Sequence, residues 1–160
     1  MKMVVAVNKA LWEDCKAGNL EEVRRALETG ADPNSYDESY DGSRGSMTCL
    51  MIAAEENHAE VVSLLLDQPT IDVNMVGDHN GTALHFACVR NSEAALRRLL
   101  TAPGLEMNGF YGFGLTPIMF AVGHGALECV RLLSAVAEVD LDRKCFDYPD
   151  YFIHESLEDR

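Results

Sequence analysis

Apolar residues recur along the chain at spacings of three and four, in short runs broken by polar stretches rich in Asn, Asp and Gly. Val61, Val62, Leu65 and Leu66 form one such run, the pattern of a helix with a single buried face. Ahead of each run lie small residues: Ala53-Ala54, then Ala87-Cys88, then Ala121-Val122. Small side chains let a helix come close to its neighbours, so these segments read as a second kind of short helix. Between the two kinds stand Gly18, Asn57, Asn91 and Gly125, residue types that tolerate the positive φ of a tight turn. The pattern therefore predicts pairs of short helices, each pair closed by a loop.

The pairs are copies of one unit. Thr48, Thr82 and Thr116 recur at one constant interval, and equal offsets from them carry equal chemistry. Two residues on come Leu50, Leu84 and Ile118, and five on come Ala53, Ala87 and Ala121. Further on, Val62, Leu96 and Val130 form one column, Leu65, Leu99 and Leu133 another, and Asn74, Asn108 and Asp142 close the unit. An earlier copy lacks the threonine but keeps Leu11, Gly18, Val23 and Leu27, and ends at Asp32-Pro33-Asn34. Neither helix pair can bury its apolar face alone, so stacking of neighbouring copies must supply the core.

The unit resembles the ankyrin repeat. The family's T-P-L-H-x-A pattern is matched by Thr48-Cys49-Leu50-Met51-Ile52-Ala53, Thr82-Ala83-Leu84-His85-Phe86-Ala87 and Thr116-Pro117-Ile118-Met119-Phe120-Ala121. Its closing A-D-x-N is matched by Ala31-Asp32-Pro33-Asn34, with Ile71-Asp72-Val73-Asn74 a close variant. The resemblance implies an all-α solenoid in one domain, with repeats at about 8–34, 47–74, 81–108 and 115–142 and hairpin loops projecting along one side. It departs from the family where the proline is lost in two copies, and where the loop Ser35–Met47 runs six residues longer than its equivalents. Counting on in register puts Asp150 under the threonine and Phe152 under the leucine; residues 143–160 are read as a cap, with Tyr151 to Glu158 a terminal helix closing the stack. The alternative is that the chain is a piece of a longer array.

Composition narrows the function. The formal net charge is −13, which repels both nucleic-acid phosphates and anionic membrane surfaces. Neither nucleic acid nor membrane is expected as a partner, and no apolar run approaches the ~20 residues needed to span a bilayer. Five cysteines are spread widely with no C-x-x-C pair, the pattern of reduced thiols in an intracellular protein, with the cytoplasm as the expected compartment. Cys15 and Cys88 share a column where a small buried residue packs, and read as core thiols. Five histidines make no metal-ligand spacing, and the resemblance implies a structural hydrogen-bonding role for His85. Gly109-Phe110-Tyr111-Gly112-Phe113-Gly114 is glycine-rich but lacks a phosphate loop's strand and Lys-Ser/Thr, so it reads as a hairpin finger. No catalytic constellation, metal site or cofactor site is expected. The pairs Glu21 with Arg24 and Arg25, Glu93 with Arg97, and Glu128 with Arg131 read as helix-surface ion pairs.

The expected activity is then protein binding, as a scaffold or adaptor acting as a monomer; the alternative is a small regulator that inhibits an enzyme by occluding it. In the family the groove is lined by residues just before the threonine and seven to eight after it. Applied here, the fingers offer Tyr36, Tyr40, Arg44, Asp78, His79, Phe110, Tyr111 and Phe113, and the helix ends offer Lys16, Glu55, Glu56, Val89, Arg90 and His124. Aromatic fingers beside the acidic run Asp37, Glu38 and Asp41 point to a partner with a basic and partly apolar surface. Phe110 and Phe113 have a second possible arrangement, folded back on the adjacent finger.

Overall fold

The computed structural model describes residues 2–36, 46–77, 80–112 and 114–144, with side chains from Ala6 onward. The predicted terminal helix therefore lies outside the described residues. Among those described are eight α-helices and no strand: α1 (Lys2–Ala17), α2 (Leu20–Glu28), α3 (Cys49–Glu55), α4 (Ala59–Leu66), α5 (Ala83–Val89), α6 (Glu93–Leu99), α7 (Pro117–Gly123) and α8 (Leu127–Ser134). Odd-numbered helices pack side by side in chain order to form one layer, and even-numbered helices form a second. The architecture is an all-α solenoid of stacked helix-turn-helix units.

The repeated threonine sets where three of the first helices begin. Thr48, Thr82 and Thr116 are all extended, with ψ of 165°, 171° and 162°, and the helix starts at the next residue. Thr48 Oγ1 accepts the amide of Met51 at 3.2 Å, which satisfies one of the donors a helix N-terminus leaves over. Pro117 stands at the first helical position, where its missing N–H is no loss. The first copy has Lys9 in the threonine column and nothing to halt the helix. Accordingly α1 runs back to Lys2 and has 16 residues, against 7 in each of α3, α5 and α7, and starts well before the Asn8 boundary expected from the register.

All four predicted breaks adopt positive φ: Gly18 at 74°, Asn57 at 61°, Asn91 at 54° and Gly125 at 66°. At Gly18, Asn57 and Asn91 the choice of Gly or Asn follows from what lies beyond. A Cβ on Gly18 would fall 2.7 Å from the imidazole of His58, whose Nε2 lies 3.0 Å from the carbonyl of Lys16. Asn57 and Asn91 instead use their side chains. Asn57 Oδ1 accepts the amide of Ala95, and Asn91 Oδ1 accepts those of Glu128 and Cys129, so each turn caps the second helix of the next unit.

A second ladder runs through the closing asparagines. Asn34 donates to Thr70 O and accepts from Asp72 N; Asn74 donates to Gly104 O and accepts from Glu106 N; Asn108 donates to Glu138 O and accepts from Asp140 N. Between the ladders lies a continuous apolar core that includes Leu11, Leu50, Leu65, Leu84, Leu96, Leu99 and Leu133. Cys15 is hydrogen-bonded to Cys49 and Cys88 to Cys129; these bonds and burial push the Cys15 and Cys88 thiols up, so both stay protonated core groups. On the outer surface, Arg97 pairs with Glu93 at 2.8 Å and Arg131 with Glu128 at 2.7 Å, as expected. Arg25 meets Glu22 at 2.8 Å, where the sequence pattern had pointed to Glu21.

Candidate binding surface

The fingers are anchored by aromatic rings. Tyr36 pairs with Thr48 in an isolated bridge, and its hydroxyl donates to Val76 O at 3.0 Å, tying the first loop to the second. In the last finger Tyr111 bridges to Leu115, and its half-buried ring lies 4.7 Å from Phe120, 5.8 Å from His85 and 6.5 Å from Phe86. Gly81 makes this possible, because a Cβ there would fall 2.8 Å from the Tyr111 ring and 2.9 Å from Phe86. Tyr111 is thus a ring held by packing, where the sequence suggested a free one. Phe110 is half-buried, with the Arg143 guanidinium 4.1 Å over its face.

His85 holds the base of this cluster. It is fully buried, its Nδ1 accepts the amide of Thr82 at 3.2 Å, and its Nε2 then carries the proton and donates to Leu115 O at 3.1 Å. The imidazole therefore closes the N-terminus of α5 and also fixes the end of the next finger. Burial pulls its pKa down to about 4, so the ring is neutral at pH 7. The structural role implied for His85 has this geometry.

Helix ends continue the surface from the fingers. His124 is exposed at the end of α7, its ring 4.3 Å from Phe120 and its Nδ1 2.9 Å from Phe120 O. Tyr111, Phe120 and His124 thus form one run of neighbouring rings from finger base to helix end, in which Phe120 is buried and links the half-buried Tyr111 to the exposed His124. In the neighbouring unit Val89 is half-buried and Arg90 exposed. Arg90 reaches across to the unit before, with Nη1 3.0 Å from Glu56 Oε2 and Nε 3.4 Å from Glu55 Oε1. Glu55 is buried, so within the predicted groove it serves as the counter-ion that positions Arg90. Lys16 completes the row at the end of α1, its ammonium 5.3 Å over the Trp12 ring. Tyr40, Arg44, Asp78, His79 and Phe113 lie outside the described residues.

Phe86, Phe120 and Trp12 were not among the expected site residues. The signal for the first two was available: Ile52, Phe86 and Phe120 occupy one column, four residues after each threonine. Ile52 and Phe120 belong to the buried core and Phe86 packs against it, and the rings of Phe86 and Phe120 also form the platform for the last finger. Among the described residues no group of three or more His, Cys, Asp or Glu could hold a metal ion. Nor, among them, is any helix long and apolar enough to cross a membrane.

A helical solenoid whose units are tied by two asparagine ladders, with hairpin fingers on one edge, defines a class of stacked-repeat proteins. The chain belongs to the ankyrin-repeat family: the model for ankyrin repeats in three copies matches residues 11–111, and that for a single ankyrin repeat matches 113–144. Repeats of this family are protein–protein interaction modules, generally without catalysis of their own. The chain is 33% identical over 119 residues to the human transient receptor potential cation channel subfamily A member 1, covering 74% of this chain and 10% of that one. It is 26% identical over 116 residues to the target of rapamycin complex 2 subunit AVO2 of Saccharomyces cerevisiae, covering 72% and 26%. It is 35% identical over 100 residues to the human SMC5-SMC6 complex localization factor protein 1, covering 62% and 8%. The chain thus spans only about a quarter or less of these relatives' own lengths.

Proposed function

We propose that this chain is an adaptor that binds a segment of another protein along the row formed by the helix ends and finger bases, and does so as a monomer. The observation that carries this reading is the row of Tyr111 and His124, both resting on the buried Phe120, continued by Val89 and the Arg90–Glu56 ion pair. Aromatic and Arg side chains are the usual anchors of protein interfaces. Here they are already held by packing and ion pairs, so binding costs little further side-chain entropy. With a net charge of −13, the chain steers a basic partner inward and repels an acidic one. The fit is to a basic, partly apolar segment whose apolar side chains meet Val89 and the Tyr111 edge. Two of the relatives are named as a complex subunit and a complex localization factor, which favours an adaptor over an inhibitor.

The test is affinity capture from native cell extract with the wild type, a Lys16→Glu/His124→Glu variant at two exposed helix ends of the row, and an Arg24→Glu/Arg97→Glu variant on the outer helices. Capture of a defined partner by the wild type and the outer variant, lost by the groove variant at unchanged melting temperature, supports the reading. Equal capture by all three rejects this surface. Capture that falls as salt is raised from about 50 to about 500 mM supports the electrostatic part.

A further inference from the structure

The buried cysteines stand in pairs, and each pair crosses from one unit to the next. Cys15 of α1 is hydrogen-bonded to Cys49 at the start of α3, and Cys88 of α5 to Cys129 of α8. All four are free thiols with no exposed surface. Elsewhere in the same columns stand Ala54, Ala83 and Ala95, also fully buried, so packing alone does not call for sulfur at these positions. Two sulfurs already in contact across a joint need only close to a bond of about 2.05 Å.

The surroundings separate the two pairs. Ser35 Oγ lies 3.6 Å from Cys49 Sγ, so a hydroxyl and the Cys15 thiol both stand ready to donate to that sulfur. The bond from Cys15, with that of Ser35 behind it, pulls the Cys49 thiol below its ordinary value against the effect of burial. The bond from Cys88 acts in the same sense on Cys129, but the Cys129 S–H donates to Ala87 O at 3.7 Å, which holds the proton on sulfur. Glu93 and Glu128 both disfavour a charge at Cys129, where Asp32 alone among the carboxylates does so at Cys49. Access differs as well. α1 packs on α2 and α3, whereas α5 is held by α3, α6 and α7, so α1 is the easier of the two to open.

We infer that Cys15 and Cys49 are a site of reversible oxidation, which a hydroperoxide converts to a disulfide between the first two units while Cys88 and Cys129 stay reduced. Opening of α1 uncovers Cys49, with Ser35 still beside it. The Cys49 thiolate attacks one peroxide oxygen; the S–O bond forms, the O–O bond breaks, and the departing hydroxide takes up the proton that Cys49 shed. Reclosure of α1 returns Cys15, whose sulfur attacks the sulfenic sulfur. The S–S bond forms, the S–O bond breaks, and hydroxide leaves with the Cys15 proton as water. Two thiols lose two electrons and two protons, and the peroxide leaves as two waters. The bond fastens α1, with Lys16 at its end, to α3.

The experiment treats the reduced full chain with hydrogen peroxide, alkylates the remaining thiols under denaturing conditions at successive times, and reads the peptides by mass spectrometry. A species joining Cys15 to Cys49, lighter by two hydrogens and restored by dithiothreitol, should accumulate at least about tenfold faster than one joining Cys88 to Cys129. Cys15→Ser should leave Cys49 to be trapped by a dimedone probe for sulfenic acid, and Cys49→Ser should leave Cys15 unlabelled. Ser35→Ala should slow the joining. No Cys15–Cys49 species in the wild type, equal rates for the two pairs, or Cys49 joined instead to another cysteine or to a second copy would each overturn the inference. So would equal labelling of Cys15 and Cys49 in the two serine variants, or a rate untouched by Ser35→Ala. The wild-type comparison stands whether or not the variants fold.

Discussion

Lowering the pH should destabilise the stack through His85. The ring is buried, donates to Leu115 O and accepts from Thr82 N, an arrangement open only to the neutral form. Its pKa is about 4 in the fold against an ordinary 6.5. Between those values the unfolded chain binds a proton that the folded chain refuses, so stability rises with pH. The contribution is whole above pH 6.5 and is lost progressively as the pH falls toward 4. That gap, at about 1.36 kcal/mol for each step of one in pH, sets a ceiling of about 3 kcal/mol, with about 1 kcal/mol already gone at pH 5.5. For a domain stable by roughly 5–15 kcal/mol this is a large share. The assay is urea unfolding from pH 7.5 to 4, run in parallel on wild type and His85→Gln. The substitution removes the titrating group and leaves the carboxylates of the chain untouched. The wild-type curve should fall more steeply than the variant's, by about 1 kcal/mol at pH 5.5 and about 3 kcal/mol at pH 4. Parallel curves over the whole range would refute the reasoning, because the imidazole would then titrate alike in both states.

Other substitutions test the remaining joints. Leu84→Ala or Leu65→Ala, each removing a fully buried leucine at a unit interface, should cost about 2–5 kcal/mol in urea melts, and a loss under about 1 kcal/mol would mean the register is wrong. Tyr111→Ala should lower stability by about 2 kcal/mol, since the half-buried ring rests on Phe120 and His85; a melting temperature equal to wild type would make the ring a free ligand anchor only. Asn91→Gly keeps the positive φ but deletes the acceptor for Glu128 N and Cys129 N, and should cost about 1–3 kcal/mol, read most sharply as faster amide exchange at the start of α8.

The repeat register was legible because stacking forces identical demands at identical offsets. Leu50 and Leu84, Ala53 and Ala87, and Leu65 and Leu99 each meet the same neighbours in successive units, so their columns recur once per unit. The positive-φ breaks were legible for the same reason, since backbone conformation restricts residue type directly. Less legible were contacts that cross from one unit to the next through a single side chain. Nothing in Asn91 alone says whether it was chosen for its φ or for its carbonyl oxygen; only the nearby amides of α8 decide that. Gly81 likewise reads as a loop glycine until the Tyr111 ring, from the following finger, is found in the space of its missing side chain. Glu55 sat in a column expected to face a ligand, yet it is buried and paired with Arg90, which reaches back from the next unit. In each case the deciding partner lies a whole repeat away along the chain, where local pattern carries no information.

The most direct test of the central proposal is a hydrogen-exchange footprint of this chain bound to the partner it captures. Binding along the helix ends and finger bases predicts slowed exchange at Val89, Arg90, Tyr111 and Gly123–His124, with the outer helices α2, α6 and α8 unchanged. Protection confined to those outer helices, with the fingers and helix ends exchanging as in the free protein, would contradict it.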